Sequence, residues 1–463
     1  MANLTIGSGL FPNPKIIETI RSCFCEMNRV KEINLASIPG SKLKEIFQDL
    51  PNSAPQLHTL CIRVFAPGFS IHEDFLCDTE RLQCVDLIKC YISWDSRLLS
   101  DLTRLSLEDS LKANASIIQV LHALQRMPAL TDLRLIDSIP DGSDGSSTYP
   151  VVDLPCLRIL NISSGVGPLT TVLRHITFPN SAILNLTCEE KQSTQIDFSN
   201  FISVLSTKFL LSLVIRSLSL RISDTPTRGL EFCLWTTAFN QDCFPSPSSL
   251  SSIISSPAQL QLVLSWPSPQ RHSYVKALTS AFNTMSLPFL TQLQISTLDY
   301  IDSKTWVETF GKLPLLKQVC VQKYAHSFLE ALVYKTEAAE KSRKAYRSVS
   351  FPKLRYIHLE GIYFEDIDPS LLSVETLLNC LMERCERKAA VQVLRLDDCY
   401  YISPDDVGIL EEIVVDVIWD GVEQGLSEED SEENSEEERE YYSDGNTTDD
   451  YDDHYDDFSI GMW

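Results

Sequence analysis

The chain has 463 residues, 44% of them hydrophobic, and carries 63 acidic against 39 basic side chains for a formal net charge of −24. Nucleic acid is excluded as the expected partner, because neutralising phosphates needs a basic footprint that this balance does not offer. No run of about 18 apolar residues occurs, which excludes a membrane-spanning helix and leaves no membrane to expect as a partner.

From the N-terminus, MANLTIGSGLFPNPKII lacks the basic start and long apolar run of a secretory signal, so the expected setting is intracellular, cytoplasmic or nuclear. Residues 1–29 are expected to form a helical cap. The first strand follows at Val30, Ile33 and Leu35. A motif Pro-x-Leu-x-x-Leu-x-Leu/Ile then recurs as Pro55/Leu57/Leu60/Ile62, Pro128/Leu130/Leu133/Leu135, Pro155/Leu157/Leu160/Ile162, Pro288/Leu290/Leu293/Ile295, Pro314/Leu316/Val319/Val321 and Pro352/Leu354/Ile357/Leu359. Its last two apolar positions alternate with polar residues, which is strand periodicity. The first apolar position sits three residues earlier, at a bend that the proline marks. Weaker copies occur at Leu82/Val85/Leu87, Leu102/Leu105/Leu107, Leu184/Leu186, Ile215/Leu218/Leu220, Leu262/Leu264 and Val391/Leu394/Leu396.

First positions at 30, 57, 82, 102, 130 and 157 recur every 20–28 residues, the period of leucine-rich repeats. Beyond Leu157 the spacing loosens as insertions lengthen individual units. Helical spacing fills the gaps at Ile117/Ile118/Leu121/Leu124/Met127, Leu169/Val172/Leu173/Ile176, Val275/Leu278/Phe282/Met285, Trp306/Val307/Phe310 and Leu377/Leu378/Leu381. One such unit cannot bury its own apolar face, so units must stack. The expected fold class is therefore α/β: a leucine-rich-repeat solenoid over 30–424, a horseshoe whose parallel sheet lines the concave face. Asp137–Ser147 is a polar insertion that reads as a mobile loop.

Residues 425–463 are expected to be an acidic, disordered tail. Ser427 to Asp457 hold sixteen acidic residues against Arg439 alone, too much charge and too little aliphatic surface to repay ordering. Such a tail solubilises the chain or docks a basic partner. Ser427, Ser435 and Thr447 each precede an acidic residue by three positions and are candidate phosphorylation sites.

Chemistry is sparse. The sequence has no phosphate-cradling glycine loop, no His-Glu-x-x-His and no Gly-x-Ser-x-Gly, so no catalytic residue, cofactor or enzyme activity is expected. Its fourteen cysteines are scattered, and Cys23/Cys25 and Cys380/Cys385 lack zinc-site spacing, so no metal site is expected either. His58, His122, His175 and His358 read as structural. What remains is the strand face opposite the buried leucines, polar and mixed in sign. A protein partner is expected there, with Arg63, Arg104, Asp132, Arg134, Tyr356, His358 and Arg395 as its anchors.

The repeat units of irregular length, with LPNSAPQLHTLCI at Leu50–Ile62, PALTDLRLID at Pro128–Asp137 and FPKLRYIHLEGI at Phe351–Ile362, resemble fungal F-box/leucine-rich-repeat proteins of the mushroom-forming type. That resemblance implies a substrate-recognition subunit of an SCF-type ubiquitin ligase, whose F-box docks on a Skp-type adaptor while the repeats hold a substrate. The helical F-box of the family is not visible before Val30, so a Skp contact would need an F-box that this sequence does not display. The alternative is a free-standing repeat scaffold that binds a protein partner without the ligase.

Overall fold

The computed structural model describes residues 2–6, 14–47, 53–65, 69–72, 75–76, 78–110, 115–141, 149–190, 197–223, 229–239, 257–267, 271–296, 298, 301–334, 349–364, 372–423 and 425. The acidic tail with Ser427, Ser435 and Thr447, and most of the Asp137–Ser147 insertion, lie outside the described residues.

The fold is mixed α/β. Its strands are β1 (Ala2–Ile6), β2 (Val30–Ala36), β3 (Thr59–Arg63), β4 (Phe69–Ser70), β5 (Cys84–Ile88), β6 (Cys90–Tyr91), β7 (Arg104–Glu108), β8 (Asp132–Ile136), β9 (Val152–Asp153) and β10 (Ile159–Gly165). They continue as β11 (Ile176–Thr177), β12 (Ile183–Glu189), β13 (Ser217–Ser223), β14 (Gly229–Trp235), β15 (Leu260–Ser265), β16 (Gln292–Ser296), β17 (Gln318–Gln322), β18 (Tyr356–Glu360), β19 (Val393–Asp397) and β20 (Asp416–Trp419). Ten α-helices occur among the described residues: α1 (Pro14–Phe24), α2 (Gly40–Phe47), α3 (Ile117–Gln125), α4 (Val166–His175), α5 (Ser199–Lys208), α6 (Arg271–Thr284), α7 (Ser303–Thr309), α8 (His326–Val333), α9 (Val374–Glu386) and α10 (Pro404–Glu411).

Each proline of the motif opens a turn, and the turn explains the spacing. The N–H groups of Leu57, Leu130, Leu157, Leu290 and Leu354 donate to the carbonyl three residues back, with proline at the second turn position. The leucine that closes the turn is buried, and two residues later the strand begins. Exits are equally regular. Ser37, Lys89, Asp109, Asp137, Lys323, Gly361 and Asp398 each follow a strand directly with positive φ. The N–H of each of these except Asp398 donates to a backbone carbonyl at or near the end of the adjacent strand of the sheet.

Between entry and exit, alternate side chains build one ladder. Ile33, Leu60, Val85, Leu105, Leu133, Leu160, Leu184 and Leu260 are successive register partners. Leu234, Leu218, Leu293, Val319, Ile357 and Leu394 continue the row, and all of these residues are buried in a single core. Helices cover that face, and from α3 to α9 each packs on the next. Local chemistry starts them: Ser116 and Gln119 form a capping box on α3, and Ser403 with Asp406 forms another on α10 behind Pro404.

Sixteen strands join one sheet in the order β1-β2-β3-β5-β7-β8-β10-β12-β15-β14-β13-β16-β17-β18-β19-β20. Here the structure corrects the sequence reading twice. First, the chain leaves β12, crosses to β13, returns antiparallel along β14 and only then lays β15 beside β12, so the unit at Leu218/Leu220 does not neighbour the one before it. The strand β14 was not expected at all, and its two ladders are the only antiparallel ones in this sheet among the described residues. Gly229 permits its close approach, since a Cβ there would sit 2.2 Å from the Leu264 carbonyl oxygen. Second, residues 1–29 hold more than a helical cap, because β1 pairs parallel with β2 at the sheet edge.

Candidate functional site

The polar face of the sheet divides at the inverted strands. On its first half, three ion pairs step across the adjacent strands β3, β5, β7 and β8. Arg63 reaches Asp86 at 2.6 Å, Arg104 reaches Asp132 at 3.5 Å and Arg134 reaches Glu108 at 3.0 Å. The three arginine side chains are 51%, 62% and 48% exposed. Strand alternation places them there, because each is one residue away from a buried ladder position. The Asp86 carboxylate beside Arg63 makes its guanidinium harder to deprotonate, and burial pushes the neighbouring Cys61 thiol up to about 12. Of the expected anchors, Arg63, Arg104, Asp132 and Arg134 are thus brought together, each already engaged with a partner of opposite sign.

From β16 to β18 the face is closed. All five residues of β16 and all five of β17 are buried, those of the polar face included. Amide side chains interlock there: the Gln292 carbonyl accepts from Ser217 Oγ and from the Phe239 N–H, each at 2.6 Å. Its amide donates to the Phe239 carbonyl at 2.7 Å and to Gln318. The segment after β14 therefore lies against this row. Farther along, Ser296 donates to Gln322, whose amide donates to Glu360 at 2.6 Å. Arg221 grips the buried Glu231 through two bonds of 2.9 and 3.0 Å.

Tyr356 and His358, expected as surface anchors, are 2% and 5% exposed, which removes them from a binding surface. Alternation assigned them to the polar face correctly but carries no information on whether that face is open. Arg395 is clamped by Asp397 at 2.6 Å. His358 instead sits between two groups. Its Nδ1 lies 3.4 Å from Cys320 Sγ, and its Nε2 lies 2.9 Å from Asp397 Oδ2, off the line of an ideal hydrogen bond. Burial pushes the Asp397 carboxyl up, but His358 and Arg395 together outweigh it and hold the group below the usual carboxylate range.

The order Cys320, His358, Asp397 is that of a nucleophile, a base and an orienting group. It does not support nucleophilic chemistry here, because Cys320 is fully buried, and burial followed by the nearby Glu360 and Asp397 carboxylates pushes its thiol well up. Glu360 completes a group of three potential metal ligands with Cys320 and His358, all within 4.8 Å of one another. The sequence reading missed this group because Cys320 lies on β17, 38 residues before His358 on β18, the strand that also carries Glu360. Superposing the Pro314 and Pro352 motifs residue by residue does place Cys320 opposite His358.

A cavity of about 220 Å³ at the start of α4 is lined by Asp141, Glu189 and Glu190. Carboxylates at a helix N-terminus are the expected complement of its partial positive charge, so the cavity implies no ligand. No helix among the described residues is long and apolar enough to cross a membrane. The fold and this face define a mixed α/β chain with a large, mostly parallel sheet. The sequence matches no protein-family model and no curated protein, so a functional reading rests on these residues alone.

Proposed function

We propose that the chain is a leucine-rich-repeat protein, a horseshoe solenoid whose sheet lines the concave side, and that it binds a partner protein without catalysis. The repeat class is supported by Leu82-x-x-Val85-x-Leu87-x-x-Cys90-x-Ile92 and by Val391-x-x-Leu394-x-Leu396-x-x-Cys399, which fit the repeat pattern with cysteine at its polar position. Both cysteines act as that position requires: Cys90 Sγ donates to the Ile62 carbonyl at 3.7 Å and Cys399 Sγ to the Leu359 carbonyl at 3.6 Å.

The observation that carries the binding reading is the exposed series of Arg63–Asp86, Arg104–Asp132 and Arg134–Glu108 across consecutive strands. Exposed pairs contribute only about 0–1 kcal/mol to stability, so the fold does not require them, whereas arginine is among the residues that dominate protein interfaces. A partner presenting interleaved charges can exchange these pairs for its own. Affinity capture with the full chain, compared with an Arg63→Glu/Arg104→Glu/Arg134→Glu variant of unchanged circular dichroism, tests this. The reading expects specific partners to be lost from the variant; retention of the same partners overturns it.

The resemblance to F-box/leucine-rich-repeat proteins supports one particular setting, substrate recognition within an SCF-type ubiquitin ligase inside the cell. The alternative is a free-standing scaffold whose acidic tail adds a contact for a basic partner, strengthened by phosphorylation at Ser427, Ser435 or Thr447. A pull-down with a purified Skp-type adaptor separates the two. Binding that is lost on removing residues 1–52 favours the ligase, and no binding favours the scaffold.

A further inference from the structure

We propose that Cys320, His358 and Glu360 form a binding site for a divalent ion of the zinc class, held by the thiolate Sγ, the imidazole Nδ1 and a carboxylate oxygen. The inference is independent of the partner-binding reading, which concerns the other half of the sheet.

Geometry is the first argument. A tetrahedral zinc ion, at about 2.3 Å from sulfur and about 2.0–2.1 Å from nitrogen, holds those two atoms roughly 3.5 Å apart. Cys320 Sγ and His358 Nδ1 stand 3.4 Å apart. Their backbones fix that separation, since Cys320 and His358 are direct register partners between β17 and β18. Glu360 follows His358 by two residues and so projects from the same face. All three ligand atoms lie within 4.8 Å of one another, so a rotation of the Glu360 side chain closes the set.

The surroundings supply what a metal-bound imidazole needs. Its second nitrogen is characteristically held by a carboxylate, which fixes the tautomer and aims the first. Here Asp397 lies 2.9 Å from His358 Nε2 and is itself anchored by Arg395 at 2.6 Å. Charge closes as well. A dication with the Cys320 thiolate and the Glu360 carboxylate is neutral, and Asp397 cancels Arg395, which is the condition for burying the group. Binding replaces the thiol proton, which leaves to solvent. Thiolate and imidazole together select against magnesium and calcium, which prefer all-oxygen sites.

The test is titration of the full-length chain, stripped with a chelator, with cobalt(II) and then zinc(II). The proposal expects one equivalent of cobalt to produce thiolate-to-metal charge-transfer absorption that zinc displaces. Cys320→Ser abolishes that absorption, Asp397→Asn weakens affinity about 10–100-fold, and Cys399→Ser leaves both unchanged. His358→Gln guards against a Cys320→Ser protein that does not fold, and it lowers affinity at least about tenfold with circular dichroism intact. Absence of charge-transfer absorption at stoichiometric cobalt overturns the site, and so does absorption that survives Cys320→Ser in folded protein.

Discussion

The two halves of the polar sheet face share one sheet and one apolar ladder and differ in what they display. From β2 to β12 the face carries charged side chains that remain half exposed, as Arg63, Arg104 and Arg134 do. From β13 to β18 the equivalent positions hold Gln292, Gln294, Gln318, Gln322 and His358, all buried. The ladder of apolar partners runs through both without a break, so the core does not distinguish them. Stability and surface display are therefore separable: one face of every strand holds the chain together, while the other is exposed in one half and closed by mutual hydrogen bonds in the other.

The largest expected effects test the shared core. Leu133→Ala in the first half and Leu293→Ala in the second each remove a fully buried side chain, and each should cost about 2–5 kcal/mol in denaturant unfolding. Clearly unequal losses would show that the two halves do not share one core. At the seam, Gly229→Ala forces a Cβ toward the Leu264 carbonyl and should cost about 1–3 kcal/mol by the same measurement. A neutral result would show that β14 does not pack as closely as described.

Each half also holds a buried thiol that reports on its packing. Burial pushes Cys90 in the first half and Cys399 in the second up to about 12, well above an ordinary thiol. Their contribution is fully present below the unfolded value of about 8.5 and is lost as pH rises through about 12, because only the unfolded chain releases those protons in that window. Stability should fall between those limits by at most about 1.4 kcal/mol per pH unit for each thiol, and Cys90→Ala or Cys399→Ala should each flatten the profile to a similar degree. A profile unchanged by either substitution would contradict the burial of that thiol.

Much of this architecture was legible in the sequence, and the gaps have physical causes. The six proline-led motifs became β3, β8, β10, β16, β17 and β18, because a turn with proline at its second position and alternating apolar residues are both local properties. Helical spacing located α3, α4, α6, α7 and α9 for the same reason. The strand β14 escaped because Gly229-Leu-Glu-Phe-Cys-Leu-Trp235 alternates without a proline-led entry, and the inverted order escaped because pairing between distant strands leaves no local trace. Exit positions were hidden by their variety, serine, lysine, aspartate and glycine all taking positive φ. For the site, alternation found the arginines and their face. It could not tell that Tyr356 and His358 are covered, since burial on the second face is decided by neighbouring strands.

The most direct test of the division pairs two double variants in equilibrium unfolding. Arg104→Ala/Arg134→Ala removes two exposed ion pairs and should shift stability by at most about 1 kcal/mol. Gln292→Ala/Gln318→Ala removes the buried amides that link Ser217, Phe239 and Gln318 and should cost about 2–4 kcal/mol. Equal losses in the two variants would contradict the account, because they would mean that the two halves of the face are closed, or open, alike.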